Sequence, residues 1–99
     1  MRASLGILLC ALAAGASAQD RKAIEAGAEL YATHCASCHG ERAVSAGVIF
    51  DLRKLRADER PRFDKAVADG KGQMPAWAGV LSAEEIDRVW AYVRSRASD

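Results

Sequence analysis

The chain has 99 residues, with 14 Lys and Arg against 13 Asp and Glu, so a single domain of nearly balanced charge is expected. Removing Arg2 with the N-terminal segment discussed next leaves 13 of each sign. That balance excludes the surplus of cationic side chains on which nucleic-acid binding rests, and the basic patch that would hold a protein on an anionic membrane.

The first eighteen residues read as a targeting segment rather than as part of the fold. Arg2 supplies a short positive start, Leu5 to Ala14 is an apolar run without charge, and Ala16-Ser17-Ala18 offers small residues where a signal peptidase cuts. Ten helical residues reach about 15 Å, half of a hydrocarbon core, so the run is too short to span a bilayer. A lipoprotein reading at Cys10 is poor because Leu9 stands where a small residue is required. The expected division is residues 1–18 as signal peptide and 19–99 as the mature domain, exported to the periplasm and monomeric.

No convincing strand pattern appears in the mature part, and no internal repeat. A first helix is predicted from Arg21 to Thr33, with Asp20 as N-cap and Ile24, Gly27, Ala28 and Tyr31 on one face. Gly27 in mid-helix costs about 1 kcal/mol relative to alanine, and a residue that unfavourable marks a close helix crossing. From Gly40 to Leu55 apolar residues occur without period, the pattern of loops packed against something large and apolar. Pro61 opens a short helix to Asp69, with Phe63, Ala66 and Val67 inward. The last helix is the clearest. Ser82 and Glu85 form a capping box, and Ile86, Val89, Trp90, Val93 and Ala97 form its apolar stripe, with Tyr92 at the border.

The chemistry lies in Cys35-Ala36-Ser37-Cys38-His39. In an exported chain Cys-x-x-Cys-His is the attachment signature of haem c. Two thiols add across two vinyl groups on one porphyrin edge, two intervening residues bridge that edge, and His39 is turned beneath the ring to give a nitrogen to iron. The alternatives are a zinc site, which lacks a second ligand cluster, and a redox-active Cys-x-x-Cys, which lacks a βαβ context. A bound haem would also enlarge a core that is small for a chain of this size.

Met74, in Gly72-Gln73-Met74-Pro75, is the one methionine of the mature part and so the thioether available as second axial ligand. Its structural alternative is gap-filling in the core. His34 immediately precedes a tethered cysteine and reads as a surface or hinge residue. A His/Met pair raises the reduction potential relative to two nitrogen ligands and closes the sixth position.

The motif Cys35–His39, the Met74-Pro75 segment and the capped last helix together resemble the class I cytochromes c, an all-α fold of three to five helices wrapped around one covalent haem. That resemblance implies a crossing of Gly27 and Tyr31 with Val89 and Tyr92. It implies a loop carbonyl that orients the axial histidine; the matching position is Phe50, where the family usually has proline. It also places Trp77 against the haem on the methionine side. The segments Ala43-Val44-Ser45-Ala46-Gly47-Val48, Asp51-Leu52-Arg53 and Met74 to Ser82 are similar to haem domains of pyrroloquinoline-quinone-dependent alcohol dehydrogenases and to the small cytochromes that accept their electrons. The implied function is a periplasmic one-electron carrier, not an enzyme, reduced by a quinoprotein alcohol dehydrogenase and oxidised by a cytochrome or oxidase. The alternatives are a general respiratory carrier serving a terminal oxidase, or a haem enzyme or gas sensor with a labile sixth ligand.

Overall fold

Four helices and three 3₁₀ turns make up the regular structure of residues 17–45 and 49–97, the part described by the computed structural model. The helices are α1 (Ala18–His34), α2 (Ala36–His39), α3 (Arg60–Asp69) and α4 (Ala83–Ser95). The turns are Glu41–Ala43, Leu52–Lys54 and Ala57–Glu59. Among the described residues there is no sheet, only an isolated bridge between Lys71 and Met74. The all-α expectation holds. The apolar run Leu5–Ala14 and residues 46–48 lie outside the described residues, and no described helix is long and apolar enough to cross a membrane.

The helix ends follow local hydrogen bonding. At α4 the Ser82 hydroxyl accepts from the Glu85 amide at 3.1 Å, and the Glu85 carboxylate accepts from the Ser82 amide at 2.9 Å. This is the box read from the sequence, and such a cap is worth about 1 kcal/mol. The start of α1 departs from the expected position. The N-cap is Ser17, not Asp20, and Asp20 is the third helical residue of a second capping box. The Asp20 amide donates to Ser17 Oγ at 3.1 Å, and the Ser17 amide to the Asp20 carboxylate at 3.3 Å. A hydroxyl three residues before a carboxylate satisfies two orphan amides, whereas Asp20 acting alone would satisfy one. Pro61 lies in the first turn of α3, one residue later than a strict first position, because Arg60 already has helical dihedrals.

The helices α1 and α4 cross at Gly27. A Cβ on Gly27 would stand 1.8 Å from the Arg88 carbonyl oxygen and 3.0 Å from Tyr92 Cβ. Beside the crossing, the rings of Tyr31 and Tyr92 pack at 5.2 Å. The core comprises Tyr31, Ala43, Leu55, Phe63, Val67, Leu81, Ile86, Val89, Tyr92 and Val93. Tyr92 is thus a core residue and not a border one: it lies over Gly27, where the missing side chain makes room for its ring. Helix α3 docks through Phe63, whose ring meets Trp90 at 4.9 Å. Arg60 and Arg94 lie over the same indole, and Arg94 donates to the Leu55 carbonyl at 2.5 Å.

Candidate haem site

The five residues Cys35–His39 form the joint between α1 and the single turn of α2. The Cys35 amide closes α1 on the Tyr31 carbonyl at 2.8 Å. The amides of Cys38 and His39 both turn back on the Cys35 carbonyl, at 3.2 and 2.9 Å. The chain is therefore wound tightly at the motif, with Cys35 half-buried, Cys38 exposed and both thiols free. Burial, reinforced by the neighbouring Cys38, pushes the Cys35 thiol up to about 11. A protonated, buried thiol is a poor partner for disulfide exchange. Cys38 is exposed, and no βαβ unit, the setting expected of a redox-active Cys-x-x-Cys, occurs among the described residues.

His39 is half-buried, and desolvation lowers its imidazole below the ordinary value, so the ring is neutral at physiological pH. Its Nδ1 is buried without a hydrogen-bond partner among the described residues. Neutral imidazole is the form that ligates a metal. The described residues contain no group of three or more His, Cys, Asp or Glu arranged around one point, so they do not gather a zinc set. Two thiols and one imidazole on a single turn instead fit a metal carried in a macrocycle, the thiols able to bond the macrocycle's edge and the imidazole the metal.

The turn after His39 is held in an unusual conformation. Gly40 has φ +89°, and a Cβ there would lie 1.9 Å from the Val44 carbonyl oxygen, a place where glycine is required. Arg42 and Ala43 follow with φ 56° and 63°. Left-handed dihedrals cost about 1–2 kcal/mol in non-glycine residues. Ala43 is completely buried. The Tyr31 hydroxyl donates to the Gly40 carbonyl at 2.7 Å. Burial above all, with Cys35 and Tyr92 adding to it, pushes Tyr31 up to about 12.

Met74 lies on a second segment. The Lys71 amide donates to the Met74 carbonyl at 3.0 Å and the Met74 amide returns the bond at 2.9 Å, closing a tight turn. Gly70 has φ +81° and leaves a Cβ only 2.7 Å from the Met74 carbonyl. Beyond Pro75, the Trp77 amide donates to the Val67 carbonyl at 2.8 Å, docking the segment on α3. Cys35, Leu52, Met74 and Trp77 are all partly buried against the same core. The two segments meet directly: the rings of His34 and Trp77 stand edge to face at 5.0 Å. His34, expected at a surface or hinge, packs on Trp77, and their 43 positions of separation carry no local signal for the contact.

Phe50 is 44% exposed, with the Arg62 guanidinium 4.9 Å from its ring centre. It makes no hydrogen bond to His39 Nδ1, which has none. Val44, Ile49 and Val80 are also exposed. The loops flanking both segments thus present apolar side chains that the protein's own core does not cover.

Residues 22–93 match the family described as cytochrome c oxidase, cbb3-type, subunit III. Cytochrome c6 of Euglena gracilis is 39% identical over 80 residues, which is 72% of this chain and 90% of that protein. Cytochrome c6 of Microcystis aeruginosa is 40% identical over 76 residues, covering 72% of this chain and 94% of its own length.

The chain is a class I c-type cytochrome.

The cytochrome is also similar to a quinohaemoprotein alcohol dehydrogenase, ADH-IIG of Pseudomonas putida. The two are 40% identical over 86 residues, 85% of the cytochrome but 12% of the dehydrogenase. A solved structure of that dehydrogenase superposes with a TM-score of 0.74 and 34% identity, covering 98% of the cytochrome and 15% of the larger chain. The cytochrome therefore spans a small fraction of these enzymes, their cytochrome module and not a catalytic domain. It is an electron-transfer module akin both to quinohaemoprotein dehydrogenases and to an oxidase subunit.

Proposed function

We propose that the cytochrome is an extracytoplasmic one-electron carrier that holds one haem c through Cys35 and Cys38, with His39 and Met74 as axial ligands. The observation that carries this reading is the joint at Cys35–His39: two free thiols and a neutral, half-buried imidazole wound on one turn, with the Met74 segment brought against it by the His34–Trp77 contact. When bound, the haem supplies an Fe(II)/Fe(III) couple that exchanges single electrons. Cys35 and Cys38 fix it to the chain by thioether bonds. His39 would offer a ring nitrogen, and Met74 its thioether sulfur, to the iron. The docking of Trp77 on α3 holds the methionine segment in place, which would keep the Met74 sulfur available as a ligand. Val44, Ile49, Phe50 and Val80 are exposed apolar side chains that the macrocycle or a docking partner would cover.

The electron's route favoured here is the respiratory one, with a terminal oxidase as acceptor. The match over residues 22–93 to an oxidase subunit family, and the near full-length match to free-standing cytochromes c6, support it. A second reading, delivery of electrons by a quinohaemoprotein alcohol dehydrogenase, is supported by the 0.74 superposition. Contacts with either partner are expected to be brief and small, as redox encounters are. Residues 1–18 act as a cleaved export signal; cutting after Ala18 removes Ser17 and leaves Asp20 near the new N-terminus, where a carboxylate still suits the helix dipole.

The test is the optical spectrum of the protein matured with a haem-attachment system. Low-spin haem that cannot be extracted, with a deep-red sulfur-to-iron band absent in Met74→Ala, is the expected result. Covalent haem without that band would reject Met74, and ferrous carbon monoxide binding at neutral pH would favour the sensor reading. Reduction by a purified quinoprotein dehydrogenase, compared with reduction by other purified respiratory donors, decides between a dedicated and a general carrier.

A further inference from the structure

We propose that His34 is a positioning residue for Met74: its ring, set edge to face against Trp77, ties the methionine segment to the end of α1 and so opposes displacement of the Met74 sulfur by competing ligands. The proposal rests on the reading of Met74 as an axial ligand.

The segment that carries Met74 has few side chains to hold it. Of residues 71–80 only Met74 and Trp77 are half-buried, and the rest are exposed. The Met74 side chain is the group to be positioned, which leaves Trp77, three residues later, as the anchor. The main chain of Trp77 is well fixed. Its amide donates to the Val67 carbonyl at 2.8 Å, and its carbonyl accepts from the amides of Val80 and Leu81, both at 2.8 Å. These bonds seat the segment on α3 and lead it to the buried Leu81. They do not join it to the helix that runs into Cys35.

The indole makes that join. Its ring centre stands 5.0 Å from that of His34, with 63° between the planes. Edge-to-face pairs contribute beyond the area they bury. His34 is a firm abutment because its own backbone is held. It is the last residue of α1, between Tyr31, which is buried, and Cys35, whose amide closes the helix on the Tyr31 carbonyl at 2.8 Å. Helix α1 crosses α4 at Gly27, and α4 carries α3 through the Phe63–Trp90 pair. The His34–Trp77 contact therefore closes a circuit that runs from α1 through α4 and α3 to the methionine segment and back to α1. With the circuit closed, Met74 leaves only when a ring contact breaks as well. With His34 removed, the segment hinges from α3. A competing ligand binds the open fraction of the protein, so its apparent affinity reports how firmly the tie holds.

The experiment titrates imidazole into ferric wild-type, His34→Ala, His34→Phe and Val93→Ala holoproteins at one fixed pH, following loss of the sulfur-to-iron band. A wild-type holoprotein without that band would overturn the Met74 reading and this proposal together. With the band present, His34→Ala is expected to raise the apparent imidazole affinity by about two- to tenfold, the range of one edge-to-face aromatic contact. His34→Phe, which restores a ring, should stay near wild type. Val93→Ala lowers stability by emptying a buried position in α4, but it leaves both rings in place and should not change the affinity. Wild-type affinity in His34→Ala, or an equal rise in Val93→Ala, would overturn the proposal while leaving Met74 as ligand. So would a His34→Phe protein as open to imidazole as His34→Ala. If His34→Ala does not accumulate with haem, NMR of the ferrous wild type decides: cross-relaxation between the His34 and Trp77 ring protons supports the tie, and its absence overturns it.

Discussion

Gly27 and the Arg88 carbonyl stand so close that the smallest side chain would place its Cβ 1.8 Å from that oxygen. The obstacle is backbone, which cannot swing aside as a side chain would. Gly27→Ala must therefore push α1 and α4 apart and loosen Tyr31 from Tyr92. Helix propensity acts in the opposite sense, since alanine is favoured by about 1 kcal/mol in a helix interior. Overpacking costs about 1–3 kcal/mol or more and outweighs it. Denaturant unfolding of the holoprotein should show a net loss of stability; an unchanged or raised midpoint would mean that the crossing is looser than it stands.

Both faces of this crossing were legible in the sequence, and the reason is physical. A glycine in a helix is unfavourable enough to need a cause, and the periodicity of α4 identified Val89 and Val93 as inward. Ser82 and Glu85 were legible because a capping box uses bonds three residues apart. Ser17 was missed because the same residue also fits a signal-peptidase site, and the sequence alone assigned it there. The turn at Arg42 and Ala43 had no signal at all. Neither residue favours a left-handed conformation, and the nearby bond from the Tyr31 hydroxyl to the Gly40 carbonyl comes from a distant part of the chain. The contact of His34 with Trp77 was hidden for the same reason. Local bonds and the glycine-marked crossing are legible, whereas tertiary contacts that leave no local pattern, such as His34 with Trp77, are not.

Ionic strength is expected to matter little for partner encounter. The basic residues between 53 and 65 are largely neutralised within the chain. Arg53 pairs with Asp51, Arg56 with Asp58, Arg62 with Glu59, Lys65 with Asp69, and Arg60 with both Asp64 and Asp87. A surface of closed pairs projects little net field. Raising salt tenfold should change the rate of reduction by a protein donor less than about twofold, against the steep fall of a steered association. Stopped-flow reduction at several salt concentrations measures this, and a steep decline would place an unpaired charge cluster at the docking face.

Asp51 offers a pH signature. Hydrogen bonding from the Arg53 side chain, aided by the Arg53 amide at 3.0 Å, holds its carboxyl down to about 2 from an ordinary value of 3.8. Because the folded value is the lower one, the pair stabilises the native state above about pH 4. The contribution fades as pH falls from there towards 2. Carbon-detected NMR should find the Asp51 side chain titrating near 2. Asp51→Asn should flatten the acid limb of the stability curve in that interval without moving the neutral-pH spectrum. A midpoint close to 4 would show that the Arg53 bond does not persist in solution.

Without haem the chain is expected to be largely unfolded. The described core is ten residues, and it is concentrated at the α1–α4 crossing and under α3. The loops bearing Val44, Ile49, Phe50 and Val80 leave large apolar side chains exposed. Without a macrocycle to cover them, these segments gain too little burial to offset the entropy of ordering them, about 1–2 kcal/mol per residue. The left-handed turn at Arg42 and Ala43 adds to that cost. A Cys35→Ser, Cys38→Ser double variant, which cannot form either thioether, is therefore expected to give an apoprotein of low helicity and no cooperative thermal transition. Circular dichroism checks the helicity and calorimetry the transition. A cooperative apoprotein with the helix content of the holoprotein would mean that the α1–α4 crossing suffices to order the chain, and that the exposed apolar loops need another explanation.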